Sequence, residues 1–337
     1  MKAVGFYRPL SIDAQDALVD IDVPMPELRP HDLLVRIEAI SVNPADVKVR
    51  ASAQPAEGQA RILGYDAVGV IKAMGPAARL FQKGDAVYYA GTIDRPGTYA
   101  ELHAVDERIV GRKPKTLDAA QSAALPLTSL TAWELLFDRL KVPYGPQFSN
   151  DAILIINGAG GVGSILTQMA RRLTGLTVIA TASRPESIAW CREMGAHHVI
   201  SHRRPLEEGL KMIGIPEVRY VASLTGTDQH QKSIVSVLAP QGALALIDDP
   251  GTFDIVPFKR KSLSVHWELM FTRPLYTTAD LAAQHRILDE VGALIDAGIL
   301  RTTFREDYGP INATNLKRAH VALESGRSIG KIVLSGF

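Results

Sequence analysis

Seven residues, Asn157-Gly158-Ala159-Gly160-Gly161-Val162-Gly163, have the types and spacing of a phosphate cradle. Gly158, Gly160 and Gly163 fit G-x-G-x-x-G; an apolar, β-rich run at 152–156 precedes them and a helix-forming run at 164–173 follows. Each glycine has its own reason. Gly158 permits a tight turn, Gly160 lets backbone approach a pyrophosphate, and Gly163 lets the helix pack close to the strand. Gly161 and Val162 complete the turn. The helix N-terminus then offers free N–H groups and the positive end of its dipole to an anion. The spacing alone also occurs in ordinary glycine-rich turns; the flanking strand and helix are what point to a dinucleotide.

The end of the next strand bears on which dinucleotide. A site that selects NAD usually places Asp or Glu there, about 20 residues past the glycines, for the ribose 2′-OH. This chain has Thr181-Ala182-Ser183-Arg184-Pro185, with no acid. Ser183 and Arg184 suit a 2′-phosphate instead, one by hydrogen bond and one by charge. His202 and Arg203, after the third strand, would add positive charge to the same pocket. The expected cofactor is therefore NADPH, although arginines in such loops are often simply solvated.

The elements that position these residues are legible as a change of texture. The first 125 residues or so read as strands and loops, with strand-like runs at 33–39 (half-buried), 69–73, 85–89 and 99–105 punctuated by Gly and Pro. Helix-prone segments follow at 119–125 and 129–140. From residue 152 onward strands and helices alternate, with strand-like runs at 152–156, 177–181, 198–200, 219–224, 243–247 and 263–267. The first is apolar throughout, as a strand buried on both faces requires. Such alternation predicts a doubly wound parallel sheet, an α/β arrangement. Residues 281–297 read as one amphipathic helix closed by Gly298, and 315–323 as a helix before a last strand at 331–334. This tail is too small for its own core and is expected to complete the first domain.

Composition excludes several classes. Lys and Arg total 37 against 36 Asp and Glu, a formal net charge of +1, so nothing favours a nucleic-acid partner. The single cysteine, Cys191, rules out an internal disulfide and any zinc site built on several thiolates, and its mid-helix place suggests a structural role. No apolar run approaches the roughly 20 residues that span a bilayer, and Tyr7, Arg8 and Pro9 break the N-terminal one. A cytoplasmic protein with a small-molecule substrate and no membrane partner is expected.

Further motifs recur together in one family: Gly64-Tyr65-Asp66, Gly84-Asp85 before a Val-Tyr-Tyr strand, Leu125-Pro126 with Thr128 and Thr131-Ala132, the Gly-Gly-Val-Gly turn, and Gly330-Lys331-Ile332-Val333-Leu334. Over essentially its whole length the chain resembles the medium-chain dehydrogenase/reductases, in the quinone oxidoreductase-like branch and its zinc-type alcohol dehydrogenase-like subgroup. The resemblance implies a GroES-like, mostly β catalytic domain (1–125), a Rossmann domain (126–268) and a C-terminal part (269–337) that completes the first, with the active site in the cleft between domains. It implies that Asn43, Asp46 and Tyr65 line that site, that Thr128 and Thr131 lie near the cofactor, and that Leu224, Thr225 and Ile247, at carboxyl ends of strands, touch it. His266, Trp267 and Phe271 would approach the nicotinamide end or pack a core. Relatives commonly form homodimers by joining Rossmann sheets edge to edge, here through residues 263–267.

Where the zinc enzymes of this family have a cysteine ligand, near Asn43-Pro44-Ala45-Asp46, and Gly-His-Glu at 64–66, this chain has neither soft ligand, and it lacks the four-cysteine lobe. No metal is expected. Tyr65 stands in the histidine position, either as packing or as a protonated phenol that donates to a carbonyl. Without zinc little stabilises an alkoxide, whereas a quinone or an α,β-unsaturated carbonyl takes hydride into a delocalised system. The expected activity is NADPH-dependent reduction of such an acceptor. The alternatives are an alcohol dehydrogenase with other metal ligands and a silent nucleotide-binding protein.

Overall fold

The computed structural model describes residues 1–145 and 149–337. From the N-terminus the elements are β1 (Lys2–Phe6), β2 (Val19–Asp22), β3 (Asp32–Ser41), α1 (Pro44–Ser52), β4 (Arg61–Ile62), β5 (Ala67–Met74), β6 (Ala86–Tyr89), β7 (Leu102–Asp106), β8 (Val110–Arg112), α2 (Ala119–Ala123) and α3 (Pro126–Trp133). There follow β9 (Ala152–Ile156), α4 (Gly161–Leu173), β10 (Thr177–Thr181), α5 (Pro185–Glu193), β11 (His198–Ile200), α6 (Leu206–Met212), β12 (Val218–Ser223), α7 (Thr227–Val237), β13 (Leu238–Leu246) and β14 (Ser264–Trp267). The chain ends with α8 (Thr272–Tyr276), α9 (Ala283–Asp296), β15 (Phe304–Asp307), α10 (Ala313–Glu324) and β16 (Lys331–Ser335). Two compact units result: Met1–Leu130 with Phe271–Phe337, and Thr131–Met270.

The first unit is mostly β. Its larger sheet runs β15-β16-β3-β5-β6-β8, with β7 also paired to β3; a smaller one runs β2-β1-β4. The period of β3 suggests a half-buried strand, yet among its ten residues only Arg36 is exposed. Both of its faces are covered, while β16, β5 and β7 pair along its edges. Leu33, Val35 and Ile40 meet Ile71, Val87 and Leu334 in the core. The tail belongs to this unit through β16, antiparallel to β3 with Val333 opposite Ser41.

The second unit holds six parallel strands in the order β11-β10-β9-β12-β13-β14. Counted within the unit this is 3-2-1-4-5-6, the Rossmann order, whose direction reverses between β9 and β12. All five residues of β9 are buried, as its apolar run predicts. The helical run at 129–140 proves to be two structures: α3 ends at Trp133 and a π-helical turn, Glu134–Arg139, continues it. Among the described residues no helix is long and apolar enough to cross a membrane.

Candidate active site and nucleotide-binding turn

In the first unit the chemistry-bearing residues gather where β3 gives way to α1. Asn43 caps that helix, Pro44 opens it, and the Asn43 N–H donates to Asp46 Oδ2 at 2.7 Å. Asp46 Oδ1 accepts from the Gly64 N–H at 3.0 Å, which fixes the loop Gly64-Tyr65-Asp66 against the helix. Only glycine serves at 64: its φ is +114°, and a Cβ would stand 2.4 Å from Thr98 Oγ1.

Asp66 is the hub. Its Oδ2 accepts from Ser41 Oγ (2.7 Å), Asn43 Nδ2 (2.7 Å) and Lys331 Nζ (3.1 Å), and its Oδ1 accepts from the Leu127 N–H (2.7 Å) at the start of α3. Lys331 also donates to Val42 O and to Asn43 Oδ1, and both Asp66 and Lys331 are buried. Such a pair is sustained by its hydrogen bonds; removing one partner typically costs about 3–5 kcal/mol. Asn43 is thus held at both ends of its amide. Its observed contacts are those of a strut that ties β3, α1 and β16 together.

The donor set does not suit zinc. The stretch Asn43-Pro44-Ala45-Asp46, near which the zinc enzymes carry a cysteine, offers no thiolate, Tyr65 stands in the histidine position, and the Asp66 carboxylate is already bound to an ammonium group that would repel a cation. Among the described residues no group of three or more His, Cys, Asp or Glu side chains is placed to hold a metal.

Tyr65 and Asp46 are the titratable groups of this cluster with displaced pKa values, and Asp46 is held by the Asn43 and Gly64 N–H groups. The Tyr65 ring packs edge-on against Phe271, with centroids 5.3 Å apart. Its residue is 1% exposed, yet the hydroxyl has no partner at hydrogen-bonding geometry. Burial and the charge of Asp46 push the phenol up to about 12, and the nearby Arg61 guanidinium opposes this, so the group keeps its proton. A buried hydroxyl left without a partner forfeits about 1–3 kcal/mol. Asp46 is fully buried; burial lifts its carboxyl to about 7, against the pull of the Asn43 N–H and Lys331.

In the second unit β9 leads into the glycine turn. Asn157 has φ +68°, and its N–H donates to Thr181 Oγ1 at 2.9 Å, which ties the turn to the end of β10. A Cβ at Gly158 would lie 2.6 Å from Ala180 Cβ, and one at Gly163 would lie 2.3 Å from Asn157 O. Those two glycines serve the fold. Gly160 is different: its Cβ would stand 3.0 Å from the Asn157 side-chain nitrogen and 3.6 Å from Asn157 O, the second an ordinary contact. Gly161 and Val162 open α4.

The other nucleotide candidates divide. Ser183 and Arg184 lie between β10 and α5, where Arg184 caps α5 and its Nε is 3.3 Å from Glu186 Oε1. His202 Nδ1 lies 3.3 Å from Thr181 Oγ1. Burial, His230 and Arg203 all lower its pKa. His230, on α7, has no signal in the sequence that singles it out. Leu224 and Thr225 follow β12 and Ile247 follows β13, so all three stand at carboxyl ends of parallel strands. Asp248 receives the Thr227 N–H at 2.9 Å and so caps α7. Thr128 bonds back to Leu125 O at 3.2 Å, a helix-internal contact; Thr131 is buried in the last turns of α3. Cys191 is buried, with its thiol raised to about 12, and is inert.

Known proteins match over the whole chain. The model of the alcohol dehydrogenase GroES-like domain matches residues 29–115, and that of the zinc-binding dehydrogenases matches residues 194–334. A zinc-type alcohol dehydrogenase-like protein of Staphylococcus aureus is 38% identical over 99% of this chain and 100% of its own. The 2-methylene-furan-3-one reductase of Solanum lycopersicum is 27% identical over 99% of this chain and 79% of its own. A crystal structure from Rhizobium etli, provisionally named a zinc-dependent alcohol dehydrogenase, superposes with a TM-score of 0.96 at 54% identity, covering 100% of this chain and 98% of that one.

Proposed function

The chain belongs to the medium-chain dehydrogenase/reductase superfamily, and from that premise we propose a zinc-independent reductase that uses NADPH to reduce a quinone or an α,β-unsaturated carbonyl. The observation that carries this reading is the buried, protonated Tyr65 hydroxyl without a partner. A phenol in that state donates to a carbonyl oxygen and favours the enolate that forms as hydride arrives at the conjugated carbon. A reduced nicotinamide, when bound, supplies that hydride. Asp46, which ionises near neutrality, places an exchangeable proton beside Tyr65. The tomato relative is named for an acceptor of this class.

The second unit would hold the dinucleotide through Gly158, Gly160, Gly161, Val162 and Gly163, with its pyrophosphate at the N-terminus of α4. We assign Ser183, Arg184 and His202 to the 2′-phosphate. The free edge of β14, where Trp267 is exposed, supports a homodimer through sheet extension.

Two experiments test this reading. Chelator-treated protein should oxidise NADPH in the presence of quinones or enones and not with saturated ketones; activity that appears only when zinc is restored would overturn it. Arg184→Ala should lower NADPH affinity about tenfold and leave NADH affinity unaltered, the size expected when one exposed charge-assisted contact is lost. Glu186 already occupies part of that guanidinium, which keeps the effect moderate. Equal loss for both nucleotides in a binding titration would contradict the assignment.

A further inference from the structure

The second unit contains a buried charge cluster outside the glycine turn. In the π-turn Glu134–Arg139 the Leu140 N–H reaches back five residues to Leu135 O. In an α-helix residues five apart point about 140° away from one another. The wider turn brings Glu134 and Arg139 to one side, and both meet Glu268, the residue after β14. Glu134 is 0% exposed and Glu268 3%. Arg139 Nε donates to Glu268 Oε2 at 2.7 Å, while Glu268 Oε1 is buried and meets no donor. The Glu134 carboxyl lies beside it in hydrogen-bonding range. Two carboxylates repel there, whereas a carboxyl and a carboxylate bond through one proton. Around the cluster stand Arg139 and Lys141 as cations, and His266, which burial and those two charges disfavour as a third. Burial and Glu134 push Glu268 up to about 8 against the pull of Arg139.

We propose that Glu134 and Glu268 hold a single shared proton, and that this proton positions the carboxyl edge of the second unit's sheet for nucleotide binding. The role rests on the nucleotide reading given above. The Glu268 N–H donates to Leu246 O at 2.9 Å, and Leu246 ends β13 immediately before Ile247 and Asp248. Asp248 in turn caps α7. Loss of the proton sets two buried carboxylates against each other, and the π-turn is the element able to relax toward ordinary helical register.

The test uses the full chain and two variants, Glu268→Gln and Glu134→Gln. Glutamine at 268 mimics the neutral partner, its Oε1 accepting from Arg139 and its amide donating to Glu134. Wild-type affinity for both NADPH and NADH should fall about tenfold per pH unit once the pair ionises, between pH ~8 and 9, while each variant stays flat. Melting gives a second, nucleotide-free readout. A carboxyl that is raised in the folded chain keeps its proton there between pH ~4.5 and ~8, where the unfolded chain has released it, so stability falls as pH rises through that window. The wild-type midpoint should therefore drop relative to Glu268→Gln by roughly 2–4 °C per pH unit from pH 5 to 8. Asp46 titrates in both proteins and cancels. Flat wild-type affinity, or melting curves that run parallel, would overturn the proposal. If neither nucleotide binds at any pH, the nucleotide reading falls and the positioning role with it, whereas the melting curves still report whether the pair keeps its proton.

Discussion

Gly160→Val is expected to leave the protein folded and to weaken nucleotide binding at least about a hundredfold. The fold tolerates the change because Gly160 has φ −70° and ψ 177°, which any residue adopts, and because the closest approach of its new Cβ is to the end of the Asn157 side chain, which can turn aside. Valine is a poor N-cap for α4, a cost of about 1 kcal/mol. The binding loss has another origin. A branched side chain at 160 fills the space in which backbone must approach the pyrophosphate, so the phosphate cannot reach the helix N-terminus. The same substitution at Gly158 or Gly163 would be uninformative, since either drives a side chain into Ala180 or the Asn157 carbonyl and damages the fold. A nucleotide titration beside a thermal melt separates the outcomes. Unchanged affinity in a folded variant would remove the turn from the site.

Tyr65→Phe is expected to lower kcat about a hundredfold, with little change in KM and no loss of stability. The size follows from removing one preorganised donor to a developing oxyanion. The absence of a stability cost follows from the orphaned hydroxyl: no hydrogen bond is broken, and burying a phenyl ring against Phe271 is neutral or favourable by up to about 1 kcal/mol. A tyrosine that served packing alone would give the same melt with undiminished turnover. Steady-state kinetics with a melt on the same preparation therefore distinguish the two roles.

The parts of the fold that were legible in sequence are those in which local pattern and tertiary role coincide. β9 is apolar throughout because both faces are buried, and β10 and β11 begin and end at the residues where strand-forming runs do. The glycine turn announces itself because three separate steric demands fall at fixed spacing. Helix α1 gave no such sign. Its buried residues are Asp46 and Arg50, so the apolar period that marks a helix is absent, and its start is set by Asn43, Pro44 and the Asn43–Asp46 contact. Nothing in the sequence distinguishes a π-turn at Glu134–Arg139 from the α-helix that its apolar spacing suggests; Arg139 of that turn bonds Glu268, 129 residues away. The same holds for Lys331 and Asp66, separated by 265 residues. That ion pair is what holds the Asn43 amide in place. Tyr65 stands out in the sequence only through the Gly64-Tyr65-Asp66 motif; its buried hydroxyl, near the Arg61 guanidinium, makes no hydrogen bond of good geometry.

The fate of the hydride separates the possible reactions. Chelator-treated protein is mixed with NADPH carrying deuterium at C4 of the nicotinamide and a small enone, and the product is analysed by mass and NMR after a single turnover. The expected product is a saturated ketone with deuterium on the carbon β to the carbonyl. An allylic alcohol with deuterium on the carbonyl carbon, formed only after zinc is returned, would contradict it.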